Sequence, residues 1–121
     1  MANTFKVINF AAEPNSAGTP FTMYTVASST TTVVLGLILA NINTTAVTAE
    51  VELVSTTSNR AGANNASNGT SFLVKDVNIP NGSSLELLSG GKVVLEAGDV
   101  IRVDCSVADK LSGTLSVMEI T

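Results

Sequence analysis

Polar and apolar residues alternate with a period of two over most of this chain, and clusters of Gly, Pro, Asn, Asp and Ser interrupt the alternation at short intervals. In an extended strand, successive side chains point to opposite faces, so this period predicts strands with one face buried. The cleanest case is 46–54, where Val47, Ala49, Val51 and Leu53 share one face and Thr48, Glu50 and Glu52 the other. That is the signature of a half-buried antiparallel strand. Further strands are predicted over 4–10, 21–27, 30–41, 70–78, 83–88, 92–95, 100–107 and 114–120. No segment carries a helical stripe. About eight or nine short strands spaced by turns predict an all-β fold, a single antiparallel β-sandwich domain over 1–121 with jelly-roll or immunoglobulin-like connections.

Several segments add detail. In 21–27 strict alternation places Phe21, Met23 and Thr25 on one face and Thr22, Tyr24 and Val26 on the other. The run 30–41 is apolar on both sides of the period, with β-branched residues and no charge, which predicts a central strand covered on both faces. Pro14 and Pro20 exclude 13–20 from a sheet interior. At Glu96-Ala97-Gly98-Asp99 a glycine stands where a tight turn needs a positive φ. The stretch 109–113 is expected to be a loop before the last strand. From Ser55 to Gly69 no apolar residue exceeds alanine in size, so this segment is expected to project from the sandwich as a long contact loop.

Charge changes the picture of the surface. Charged residues make up 13% of the chain, against about 25% in a typical soluble domain. Ser, Thr, Asn and Gly must cover what charge does not, and such a skin suits close packing against neighbours. The six basic residues are scattered singly and the net charge is −4, which speaks against binding nucleic acid. The N-terminus lacks a basic start with a long apolar stretch, so no secretory signal is expected, and the apolar run 33–40 is too short to cross a bilayer.

Candidate chemistry is sparse. There is no histidine, the commonest base and metal ligand, and the single Cys105 sits in a strand context that predicts a small buried apolar residue. Glu50, Glu52 and Glu86 read as solvated strand charges, and Glu96 and Asp99 as turn residues capping backbone amides. Asp104 and Asp109 lack the spaced oxygen ligands of a calcium loop. No catalytic residue, cofactor or metal site is expected, and the chain is read as a non-enzyme. The triplets at Asn43, Asn65, Asn68 and Asn81 are read as turn chemistry and not as glycosylation sites. Tyr24 and the phenylalanines Phe5, Phe10, Phe21 and Phe72 are expected to pack in the core; the competing reading is a sugar-binding platform.

Over most of its length the sequence resembles small structural proteins of tailed bacteriophages, of a kind found among marine and cyanobacterial phages. The likeness is carried by Met23-Tyr24-Thr25-Val26 before Val33-Val34-Leu35-Gly36-Leu37, by Ala40-Asn41-Ile42, and by Phe72-Leu73-Val74-Lys75-Asp76-Val77. It continues through Ile79-Pro80-Asn81-Gly82-Ser83-Ser84-Leu85-Glu86, the stretch Lys92 to Ile101, and the ending Leu115 to Thr121. The resemblance implies a virion component that decorates or stabilises the head or belongs to the neck or tail. Its expected partners are itself, as a symmetric trimer or ring, and other virion proteins such as the major capsid or neck and tail proteins. An adhesive or glycan-binding module on a fibre is the alternative. The candidate assembly contacts are Phe5, Val7 and Phe10 near the N-terminus, Asn59, Arg60, Asn64 and Asn65 in the long loop, and Met118 and Ile120 in the last strand.

Overall fold

A computed structural model describes residues 2–55, 69–88 and 91–121. Nine strands form: β1 (Asn3–Glu13), β2 (Phe21–Thr25), β3 (Thr31–Asn41), β4 (Val47–Val54), β5 (Thr70–Ile79), β6 (Ser84–Leu87), β7 (Val93–Leu95), β8 (Val100–Cys105) and β9 (Leu111–Ile120). Each coincides with a segment predicted from the alternation, with ends that move by a few residues. The expected loop at 109–113 is a correction: β9 already begins at Leu111, because Gly113 pairs with Phe10 inside the β1–β9 ladder.

The strands make two antiparallel sheets. One runs β1-β9-β3, with β6 and β7 sharing the far edge of β3; the other runs β2-β8-β4-β5. Every connection except β4–β5 and β6–β7 passes from one sheet to the other. Taking β6 and β7 as one interrupted strand leaves eight, paired first with last, second with seventh, third with sixth and fourth with fifth. That is a long hairpin rolled on itself, the connectivity of a jelly roll. Of the two sandwich types expected, the jelly roll is the one formed.

Inward residues of both sheets build the core: Val34, Leu37 and Leu39 of β3 and Leu111, Leu115 and Val117 of β9 meet Val47, Ala49 and Val51 of β4 and Ile101 and Val103 of β8. Each of these valine, leucine and isoleucine side chains contributes about 1.5–3 kcal/mol on burial. Cys105 is buried on the same side, and burial, first of all, pushes its thiol pKa up, so it serves as a small apolar residue. A methyl group at Gly113 would collide with the Phe10 ring, which lies over that glycine and meets Phe21 edge-on at 5.1 Å. The aromatic takes the place of the side chain that glycine lacks.

Bulges break the strict alternation. A register shift between Thr22 and Tyr24 sets Tyr24 opposite Ile101, so Met23 and Tyr24 are both buried and the expected face assignment of β2 is corrected. The Tyr24 hydroxyl donates to Glu119 Oε2 at 2.6 Å. With that proton committed, its oxygen accepts from Thr32 Oγ1 at 2.8 Å, which ties the second sheet to the first. Burial and the Glu119 contact push the Tyr24 pKa up to about 12. At the other end the buried Asn41 amide donates to the carbonyls of Thr45 and Ile79 and accepts from the Asn43 amide, so its polar atoms are satisfied.

Candidate functional site

The outer face of the five-stranded sheet can be built strand by strand. On β1 the residues opposite to the core are Phe5, Val7 and Asn9. On β9 they are Ser112, Thr114, Ser116, Met118 and Ile120. A bulge between Val34 and Gly36 leaves Leu35 outside the ladder, beside the outward residues Val33 and Ile38. Register aligns Phe5 with Met118, Met118 with Val33, and Val33 with Val94 of β7, so four apolar side chains cross the sheet in one row. Phe5 is 71% exposed, Val7 63% and Val94 56%. In the strand positions of this face Glu86, opposite Ile38 at the β6 margin, is the one charged residue.

The relief of the face follows from side-chain size. Phe5 and Val7 stand up along β1, whereas the small hydroxyls of β9 lie low between them and Leu35. Beyond Leu35 the surface drops into a hollow of about 230 Å³ lined by Leu35, Ile38, Glu86, Leu87, Thr114 and Ser116. Gly36 makes that hollow possible, since a Cβ there would meet nothing nearer than the Leu87 carbonyl oxygen at 4.0 Å.

The outer face of the four-stranded sheet has different chemistry. Arg102 donates from Nε and Nη2 to Glu52 Oε2 at 3.0 and 2.6 Å, and Lys75 Nζ meets Glu50 Oε1 at 2.8 Å while lying over the Phe72 ring. The expectation that Glu52 is a solvated surface charge is corrected: it is buried against its arginine. Asp104 Oδ1 accepts from the Gly18 and Cys105 amides, and Asp99 Oδ2 accepts from the Glu96 amide, so both act as backbone caps. Among the described residues no group of three acidic or cysteine side chains could hold a metal ion. Nor is any helix there long and apolar enough to cross a membrane.

The expected contact residues divide accordingly. Phe5, Val7, Met118 and Ile120 come together on the outer face of the five-stranded sheet, which has Glu86 alone charged among its strand positions. Phe10 points the other way and is used inside the fold, over Gly113. Asn59, Arg60, Asn64 and Asn65, with the loop between Ser55 and Gly69, lie outside the described residues. Two expected core phenylalanines are corrected: Phe5 and Phe72 stand at the surface, on opposite sheets, while Phe10 and Phe21 pack inward. Sequence reasoning missed Val33, Leu35, Ile38 and Val94. For Val33, Leu35 and Ile38 the second apolar face of the 30–41 run was the signal, read there as core. The expectation that β3 is covered on both faces is corrected: its inward residues are buried, whereas the outward Val33 and Leu35 are half-buried and Ile38 is exposed.

Fold and surface together define a jelly-roll β-sandwich with one ionic and one largely apolar and hydroxyl-bearing outer face. No protein-family model matches the chain, and no curated protein does. Among solved structures it is similar to a chain of the Bacillus endospore appendages, described as a novel family of disulfide-linked pili. The TM-score is 0.49 and the identity 15%, over 99% of this chain and 87% of that one. At that overlap the likeness carries no argument about function.

Proposed function

We propose that this chain is a non-enzymatic structural component of a tailed-phage virion. It acts as a multi-copy accessory protein that decorates or stabilises the head or forms part of the neck or tail. The single observation that carries the building-block reading is the row Phe5–Met118–Val33–Val94, an apolar stripe left at the surface of a sandwich whose core is already complete. A free monomer rarely exposes a contiguous apolar patch larger than a few hundred Å², and larger ones mark association sites. The particle assignment rests on the sequence resemblance to phage structural proteins. Its partners would be further copies of itself in a closed symmetric oligomer and the neighbouring capsid, neck or tail proteins. It would be assembled in the host cytoplasm and found in the finished particle.

A glycan-binding reading loses its central residue, because Tyr24 is buried and both sides of its hydroxyl are engaged. The exposed aromatics Phe5 and Phe72 lie on opposite faces and form no platform. Mass spectrometry of purified particles tests the proposal: the chain is expected in the virion, in many copies for a head role and in few for a neck role. Its absence from particles that are otherwise complete would end the phage assignment.

A further inference from the structure

We infer that β1 is exchanged between copies of this chain: β1 of one copy lies on β9 of a second, in the register it holds within a single chain. This deepens the reading of the chain as an assembly subunit and rests on it.

Strand β1 is the element whose removal costs the interior least. At 11 residues it is as long as β3, yet none of the buried core side chains belongs to it; Ile8 and Phe10 are partly buried and pack against that core. From Asn3 to Val7 five successive residues are exposed, on the inward side of the strand as well as the outward. No other described strand has more than three exposed residues in a row. In its ladder β1 has a single neighbour, β9. Few buried contacts and one paired neighbour mark the part of a fold that opens first. When β1 leaves, β9 keeps its ladder with β3 from Leu111 to Ile120.

The edge that β1 vacates is selective about what refills it. The Phe10 ring occupies the space that Gly113 leaves open, so the edge carries a hole for an aromatic at one register position. Nearer the other end of the ladder, Glu119 is the lone charge of β9 and meets Lys6 Nζ at 2.7 Å. A filling strand therefore needs a lysine with an aromatic four residues later. Lys6 and Phe10 supply that pair, and no other lysine of the chain is followed by an aromatic at this spacing. Charge acts in the same sense: copies of net charge −4 repel, but the exchanged segment Asn3–Phe10 carries only Lys6 and brings it to a carboxylate. The occupant that fits is thus β1 of this chain, its own or a second copy's.

The connection to β2 has the length to cross. Its seven residues, 14–20, span up to about 25 Å when extended, whereas the two sheets it bridges lie about 10 Å apart. Closed and exchanged forms make the same β1–β9 contacts. Their balance is then set by protein concentration against the effective concentration of the tethered strand, about millimolar for a short linker. Subunits held side by side in an assembly reach that range, and exchange of an identical element is a low-cost route to joining them.

A mixture of two single variants of the full chain tests the exchange. Ala2 and Thr121 exchange both backbone hydrogen bonds, so by alternation Val7 and Ser116 form a pair without such bonds, close enough for a disulfide. Both side chains are outward, and Cys105 is buried. Val7→Cys chains mixed with Ser116→Cys chains at about millimolar concentration and mildly oxidised are expected to form a heterodimer linked between positions 7 and 116, as peptide mass mapping reads. Ile38→Cys in place of Ser116→Cys puts the thiol on the same outer face but on β3, and should give no such link. Absence of the 7–116 link, or equal linking to position 38, overturns the proposal.

Hydrogen exchange on the unmodified protein is a second, independent measurement. The amides of Thr4, Lys6 and Ile8 should exchange at least about ten-fold faster than those of Leu37 and Leu39 in β3. Equal protection would mean that β1 opens only with the whole fold, which also overturns the proposal. Exchange and phage assignment fail separately. Particles that contain the protein while no 7–116 link forms sink only the exchange; a link formed by a protein absent from particles sinks only the phage assignment.

Discussion

The two sheets share one interior and finish their outer faces in opposite ways. The four-stranded sheet carries the pairs Glu50–Lys75 and Glu52–Arg102, and its edge strand β5 is bulged against β4, with Asp76 at a φ of 52°. Bulges and an edge lysine blunt a strand edge against further pairing. The five-stranded sheet has apolar side chains and hydroxyls outside, and its edge strand β1 keeps an unbroken register with β9 for the eight residues Asn3–Phe10. A face that holds ions at fixed distances has partners for them within the chain and loses hydration if it is covered. A face of valine, phenylalanine and serine has little hydration to lose. The difference therefore separates the side of the sandwich finished for water from the side suited to another protein.

The largest effect expected of a single change lies on the ionic face. Arg102→Ala leaves the Glu52 carboxylate, whose side chain is 9% exposed, without the two donors that converge on it. A cost of about 2–4 kcal/mol is expected in denaturant unfolding, because an almost buried charge is left uncompensated. Ser116→Ala, outward on the other sheet, should change stability by less than about 0.5 kcal/mol, as surface substitutions do. Equal losses at the two sites would erase the contrast between the faces.

Next comes Gly113→Ala, at about 1–3 kcal/mol, since the added methyl must displace the Phe10 ring from its place beside Phe21. In a Phe10→Ala background the penalty should vanish, which a double-mutant cycle measures directly. That result would show β1 fastened from the inside, leaving Phe5 and Val7 without a structural duty in the monomer.

Tyr24→Phe follows, at about 1 kcal/mol, for the hydroxyl that links β2 to Thr32 and Glu119. Its pH dependence has a definite sign. A tyrosine with a folded pKa of about 12 and an ordinary unfolded value of about 10 contributes stability that is intact below the latter. That contribution is lost as the pH rises through the former. The chain has one tyrosine and no tryptophan, so tyrosinate absorbance reports this residue alone. Little tyrosinate should form near pH 11 while the fold holds. On the acid side, hydrogen bonds from Lys6 and Tyr24 hold Glu119 below the usual carboxylate range. The stability it contributes is present above that range and disappears as pH falls through the lowered value.

How much of this was readable from the residues divides along physical lines. Strand positions were legible because a buried face imposes a period of two, and β4 shows it in Val47, Ala49 and Val51. Bulges were not, since an extra residue at Met23 or Leu35 leaves the composition unchanged and appears only once a partner strand fixes the register. Half of the apolar outer face was legible in Phe5, Val7, Met118 and Ile120, which lie in terminal strands. The other half, Val33, Leu35 and Ile38, was hidden because an apolar strand face reads the same whether its cover comes from this chain or another.

The smallest effect expected is at Lys75, and it bears on the same contrast. Its ammonium is exposed, 2.8 Å from Glu50 and 4.7 Å from the centre of the Phe72 ring. Exposed pairs contribute little, because water and salt screen them and two side chains must be ordered. Lys75→Ala should leave the unfolding midpoint where it was. Its effect should appear in solubility instead, since the change removes the cation from edge strand β5 beside the half-exposed Phe72. If concentrated Lys75→Ala protein associates and that association survives a second change, Phe5→Asp, the ionic sheet has become adhesive independently of the uncharged one. A charge then keeps one face solvated, whereas the other, with Glu86 alone charged among its strand positions, has little hydration to lose.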